Sequence, residues 1–301
     1  MSDSILHGKI PPMGISVGAL WGLISLGSWG TADYLARCYA NQVGSNRTAF
    51  YVRFISLFPP ILVLAAQAYL GQLHSPIDWP VVWKLGPLLG ASLALSYVAY
   101  YRGLEIGTIS IVAAVSSAWF AVGVLLAFIF LDEVLSIQQT LVIGIIAGGI
   151  IMLSGLKSSS QYRPTGFLYG LASMIFMGIS TLLFRYLVEA AGAMLTSLIG
   201  SIVSVVLLWL WIHRSNVTLS LPAKQGLHIL IAAGLLDVGG VLSLLVGLTQ
   251  APIFIVAPLA AAHPIVTMSL AWIFLRERLL VLQWIGVALT LVGIITLSAI
   301  H

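Results

Sequence analysis

The sequence predicts an all-α membrane protein of ten transmembrane helices, arranged as two inverted five-helix repeats, and three observations carry that prediction. Of the 301 residues, 60% are apolar and only 7% are charged, against roughly 25% charged in soluble domains, so water is not the solvent this chain is built for. Apolar stretches of the roughly 20 residues that cross about 30 Å of hydrocarbon follow one another along the chain. The second part of the chain also repeats the first at a fixed offset.

Met1 to Pro12 are polar and carry two prolines. The apolar stretch behind them is too long for a signal-peptide core and has no cleavage signature, so it reads as a retained first span, 15–36. There Trp29, Asp33 and Arg37 share one helix face by their spacing of four. Asp33 is read either as the partner of Arg37 or as a group that binds a charged end of a solute. In the second span, 48–70, Arg53 stands a few residues in, where a long side chain can snorkel, and is expected to anchor at the headgroups. The third span, 81–103, carries Ser96, Tyr97, Tyr100 and Tyr101, with Tyr97 and Tyr101 on one face. Tyrosine hydroxyls at that depth need partners, which a wet cavity supplies; an interfacial belt also explains Tyr100 and Tyr101. The fourth span, 109–131, holds Trp119 midway, with Ser116 and Ser117 beside it. Gly144, Gly148 and Gly149 in the fifth, 136–155, read as small-residue helix contacts and as a weak dimer surface.

Lys157 to Pro164, with its three consecutive serines, reads as a linker, 157–164, between a first repeat at 1–156 and a second at 165–301. Spans 165–188 and 193–213 follow, then a polar stretch from Arg214 to Lys224. Span 226–249 holds Asp237 near its middle, where an ionised Asp costs roughly 3 kcal/mol, so it should face the bundle interior or water. It is a candidate for coupling or charge recognition; the competing role is a packing contact beside Gly239 and Gly240. Span 253–275 holds His263 and Pro264 midway, and 280–300 completes the set. Glu133 and Glu277 lie where helices emerge and read as caps of the helices that follow. The single Cys38 forms no internal disulfide, and no Cys/His cluster offers a metal site. A net charge of +4 calls for no nucleic-acid partner.

Sliding 103–154 onto 247–298 without a gap gives about 20 identities in 52 positions. Leu126, Ala127, Ile129, Phe130, Leu131, Glu133 and Leu135 fall on Leu270, Ala271, Ile273, Phe274, Leu275, Glu277 and Leu279, and Gln139 falls on Gln283. The first helices align as well, Gly18, Gly22, Gly30 and Arg37 matching Gly166, Gly170, Gly178 and Arg185. Five spans per half is an odd number, so the second half enters the membrane from the other side. Inverted repeats of this kind alternate access to a site near the midplane. Trp119 and His263 are equivalent in the alignment and are expected to face one another there.

The blocks FIFLDEVLSIQQ and WIFLRERLLVLQ, the pair Trp21-Gly22 and the stretch Gly30 to Ala36 resemble the EamA-type transporters of the drug/metabolite transporter superfamily over nearly the whole chain. The resemblance implies ten helices, both termini on one face, a cavity lined by helices 1, 3, 4, 6, 8 and 9, and peripheral helices 5 and 10. It also implies export of amino acids and other metabolites. Such proteins often carry a proline midway along each fourth span; here Pro264 has Phe120 opposite it, so a kink is expected in the second half alone. A cytoplasmic amino terminus, which the resemblance implies, leaves only Lys9, Lys84 and Arg185 inside, and the positive-inside rule favours the reverse.

No HExxH, GxSxG or nucleotide-binding loop occurs, which argues against an intramembrane enzyme and an ATP-driven pump. The polar residues differ between the halves, which suits an asymmetric binding site better than a channel ring. The expectation is a secondary transporter of small amphipathic solutes, amino acids above all, in the plasma membrane as a monomer or weak homodimer. Tyr97, Tyr101, Trp119, His263, Ser117 and Trp29 would contact the solute, and Asp237 or Asp33 would recognise charge or couple to protons. A facilitator without gradient coupling is the alternative.

Overall fold

The computed structural model describes residues 12–72, 76–106, 112, 115–131, 134–153, 164–214, 219, 224–275 and 280–300. Among these the regular structure is all helical. The helices are α1 (Pro12–Val43), α2 (Ser45–Ile55), α3 (Phe58–Tyr69), α4 (Trp79–Ile106), α5 (Trp119–Phe130), α6 (Ile137–Leu153), α7 (Pro164–Arg214), α8 (Lys224–Gln250), α9 (Ile253–Ala261), α10 (Pro264–Leu275) and α11 (Val281–Ala299). Five stretches are long and apolar enough to cross a bilayer: Asn46–Tyr69, Trp79–Tyr100, Gly166–Arg214, Gly226–Gln250 and Ile253–Phe274. Shorter apolar helices lie at Val115–Phe130, Ile137–Met152 and Val281–Leu297. Large apolar side chains such as Leu62, Leu141 and Ile295 face outward, more than 60% exposed, as in a protein whose outer surface meets lipid.

Two of the breaks have a local cause. Pro59 and Pro60 have no N–H to give to the turn before them, so the second span divides between α2 and α3 at Ser56 and Leu57. Gly192, at φ 76°, is a left-handed point inside α7 that lets the chain reverse between two long arms.

The fourth spans break as well, and here the expectation of a one-sided kink is corrected. His263 and Pro264 follow Ala262, where α9 ends, but Ala118 interrupts the first half at the equivalent residue without any proline. The hydrogen bonds match: Ala118 N–H donates to Val115 O at 3.2 Å and Ala262 N–H to Leu259 O at 3.3 Å, while Ala121 and Ile265 donate to the carbonyls of Ala118 and Ala262. The shared packing of the two halves therefore places this break, and proline is not needed for it.

That packing is an exchange of contacts between the halves. α1 packs on α8 and α9, while α7 packs on α4 and α5. A Cβ on Gly30 would sit 2.6 Å from His263 O, and one on Gly178 would sit 3.0 Å from Trp119 O, so neither seam could close at this spacing with a larger residue. Ser25 donates to Gly240 O at 2.9 Å and Ser96 to Ser173 O at 3.1 Å, again equivalent positions with the halves interchanged. α6 and α11 pack on each other away from this centre, Gly149 against Thr290 and Gly293 against Ile146. Gly149 alone of the three small residues expected to make helix contacts there does so; Gly144 and Gly148 border open space. α9 is buried along its whole length and forms the middle of the core, as expected of a helix apolar all round.

Two matched glutamines cap helix starts. Glu133 and Glu277 lie outside the described residues. The side-chain oxygens of Gln139 and Gln283, another matched pair, accept from the backbone N–H of Ser136 and Leu280 at 2.9 and 2.8 Å, and so cap the starts of α6 and α11.

Candidate functional site

A cavity of about 120 Å³ lies where the two halves meet. Trp29 and Asp33 of α1, Arg53 of α2, Ser96, Tyr97 and Tyr100 of α4, Ser116, Ser117 and Trp119 at the first-half break, Ser173, Met177 and Phe184 of α7, Asp237 of α8, and His263 at the second-half break all line it. The helices that reach it are those the family resemblance implied, with one addition: the second span contributes Arg53. Among the described residues, α6 and α11 contribute none of the lining.

Of the residues singled out from the sequence, Trp29, Asp33, Tyr97, Ser117, Trp119, Asp237 and His263 are brought to this one cavity. Tyr101 is on α4, but its side chain lies outside the described residues. Trp119 and His263 do face the same space, and the indole of Trp29 stands between them. Its ring centroid is 6.1 Å from that of Trp119 and 6.0 Å from that of His263, each contact edge-to-face, a favoured geometry for aromatic quadrupoles. Trp29 is held there by its N–H, which donates to Asp237 O at 3.1 Å, and by Gly240, whose missing Cβ leaves room for the ring.

Arg53 is the main correction. A snorkelling anchor would be exposed, but Arg53 is 2% exposed and turns inward. Nη1 donates to Asp237 Oδ2 at 2.8 Å and Nη2 to Ser201 Oγ at 3.3 Å; the guanidinium carbon lies 5.1 Å from the centre of the Tyr97 ring. Asp237 also accepts from Ser56 Oγ at 3.0 Å on Oδ2 and from Tyr97 Oη at 3.3 Å on Oδ1. The two charges neutralise each other away from water, which is what makes either tolerable there. Ser56 sits at the proline-induced bend between α2 and α3, so the local break delivers one of the carboxylate's donors. The sequence held one clue: a lone Arg in an apolar span with a lone Asp in another.

Asp33 and His263 form a second close contact nearer the exterior. His263 Nδ1 lies 2.9 Å from Asp33 Oδ2, with Asp33 about half exposed and His263 18% exposed. The approach is close, yet its angles do not make a hydrogen bond, and Nδ1 is buried without one among the described residues. One turn from Asp33, Thr267 Oγ1 donates to Gly30 O at 3.0 Å and ties α10 to α1 at the same seam. The equivalent positions across the pseudo-symmetry are Thr181 and Trp119, so only one of the two seams carries this acid and imidazole. Among the described residues no group of three metal-ligating side chains occurs.

The chain is similar to known proteins in sequence and in fold. The sequence profile of the EamA-like transporter family matches residues 16–155 and again 164–299. An uncharacterized protein of Methanocaldococcus jannaschii is 29% identical over 134 residues, which are 44% of this chain and 96% of that protein. An uncharacterized transporter encoded in the cobO 3′ region of a Sinorhizobium species is 25% identical over 135 residues, 44% of this chain and 94% of its own. Both relatives are thus about as long as one of the two matched halves. A solved crystal structure shares the fold at a TM-score of 0.76 and 19% identity, covering 93% of this chain and 95% of the other.

Proposed function

We propose that this chain, which belongs to the EamA-like transporter family, is a secondary active transporter that exports small metabolites, amino acids and similar amphipathic solutes above all, by alternating access around the cavity between its halves. The family and the outward apolar faces make it an integral membrane protein. The finer reading is ten transmembrane helices in two inverted repeats, 1–156 and 165–301 joined by 157–164, with both termini on the cytoplasmic side of the plasma membrane.

The observation that carries this reading is a polar, aromatic-walled cavity at the junction of two halves in a chain with only 7% charged residues. Intramembrane charges are costly and are kept where a solute or ion passes. Size supports a small cargo: about 120 Å³ is near the roughly 150 Å³ of an engineered cavity that takes benzene. The matched seams at Gly30 and Gly178 support rocking, because two interfaces built from equivalent contacts can exchange roles as one opens and the other closes. Trp29, Tyr97, Tyr101, Ser117, Trp119 and His263 would contact the solute. Asp33 and Asp237 are the candidates for charge recognition or proton coupling. The transported solute is the only small-molecule partner required, with no cofactor, and no catalytic role is assigned to any residue.

Uptake of radiolabelled amino acids and aromatic metabolites into proteoliposomes, with and without an imposed pH gradient, tests this. Saturable uptake of one class, accelerated by the gradient, is expected. Saturable uptake indifferent to the gradient would instead favour a facilitator, and no movement of any solute by folded protein would overturn the substrate class.

A further inference from the structure

Resting on that reading, we infer that Arg53 and Asp237 act together as a dipolar clamp that selects solutes carrying one positive and one negative charge, with Arg53 taking the solute's anionic end.

A guanidinium has five N–H donors arranged as a planar fork. Here Asp237 engages it through a single contact, Nη1 to Oδ2 at 2.8 Å, and the second carboxylate oxygen turns to the Tyr97 hydroxyl instead. Ser201 takes Nη2 at 3.3 Å, a long contact. Nε is buried and has no partner among the described residues. So a 98%-buried guanidinium on the wall of the cavity, 5.1 Å from the centre of the Tyr97 ring, keeps donor capacity that its counter-ion does not use. An unmet donor of this kind is costly away from water, and a carboxylate docking bidentately on the fork is the ligand chemistry that meets it.

The pair also decides the net charge of the cargo. Arg53 and Asp237 sum to zero. An anion docked on Arg53 would leave two carboxylates on one guanidinium, and a cation docked on Asp237 would leave the opposite excess, both unfavourable at low dielectric. A solute with both charges adds nothing to the sum: its anionic end meets the fork and its ammonium lies beside Asp237 Oδ1, whose contact with Tyr97 is long at 3.3 Å. The pseudo-symmetric counterparts of Arg53 and Asp237 are Ser201 and Leu93, so the clamp is built once and fixes one orientation of the solute.

The test is equilibrium binding by calorimetry to the purified full-length protein. The probes are leucine, phenylalanine and threonine, each compared with its carboxamide, which keeps only the positive charge, and its deaminated acid, which keeps only the negative one. The amino acid is expected to bind roughly ten- to a hundredfold more tightly than either analogue, the range of a charge-assisted hydrogen bond. In the double variant Arg53→Gln/Asp237→Asn, which removes both charges together, the ratio should fall to about one. Arg53→Lys keeps the charge without the fork, and should retain the preference over the carboxamide while binding severalfold more weakly. Amino acids bound by the wild type without this preference, a folded double variant that keeps it, or unchanged binding by Arg53→Lys would each overturn the clamp and leave the transporter reading in place. If none of the nine probes binds folded wild-type protein, the clamp and the proposed substrate class both fall.

Discussion

Trp119 and His263 occupy the same place in the two halves, and both meet one indole, that of Trp29, edge-to-face at nearly equal distances of 6.1 and 6.0 Å. Trp29 therefore reports on both breaks at once. Trp29→Ala should remove a ring that three elements pack against, and lower solute uptake at least tenfold, mainly through a higher KM. Trp29→Phe, which keeps the apolar plate but loses the bond to Asp237 O, should fall between. Initial rates in proteoliposomes over a range of solute concentrations check this.

Arg53 and Asp237 should stand or fall together in stability. Either neutralised alone leaves a buried charge without its partner, a loss of roughly 3–5 kcal/mol in comparable pairs. Arg53→Met/Asp237→Leu replaces both by apolar groups and should be more stable than the less damaging single variant. Thermal unfolding in detergent of the two single variants and the double one decides this, and additive losses would contradict a pair.

The seams at Gly30 and Gly178 predict paired effects of one methyl group. Gly30→Ala places its Cβ against His263 O and Val266, and Gly178→Ala places its own against Trp119 O and Val122. Each should destabilise by about 1–3 kcal/mol, as overpacking does. If the seams alternate in closing, each variant should also bias the protein away from a different one of its two states. Accessibility of single cysteines introduced at Ser117 and at Thr181, read by maleimide labelling, should then change in opposite directions in the two variants.

Asp33 and His263 make the acid and imidazole contact on one seam only. Asp33→Asn should abolish acceleration of uptake by a pH gradient while leaving gradient-free uptake within about threefold, because Asp33 is half exposed and surface pairs add little to stability. His263→Ala should also abolish the acceleration, but with a higher KM for gradient-free uptake, because the imidazole lines the cavity. Gradient acceleration that survives in Asp33→Asn and disappears in Asp237→Asn would move the coupling role to the deeper carboxylate.

Much of the site was legible because depth and repetition are both written in one dimension. Asp237 stands alone in a long apolar stretch, so its inward orientation follows from the cost of placing it anywhere else. Trp119 and His263 were paired by the gap-free alignment of the halves, and Trp29 by its spacing from Asp33. Arg53 is not legible locally: a few residues into a span, a long flexible cation satisfies the rules for a headgroup anchor, and its partner is 184 positions away. The one-sided kink has a similar origin: Pro264 predicts a break in its own half, while the matched break at Ala118 needs no proline.

The sequence by itself therefore determined the solvent of this protein, the approximate places of its helices, the doubling of its plan and the residues that could not face lipid. These follow from hydrophobicity, spacing and self-similarity, which are properties of the chain. Only the tertiary structure decided that Arg53 turns inward to Asp237, that Trp29 stands between Trp119 and His263, and that both halves break at the same residue. Each depends on a contact between segments far apart in sequence, where the energy of pairing a buried charge or closing helices on a glycine overrides what either segment prefers alone.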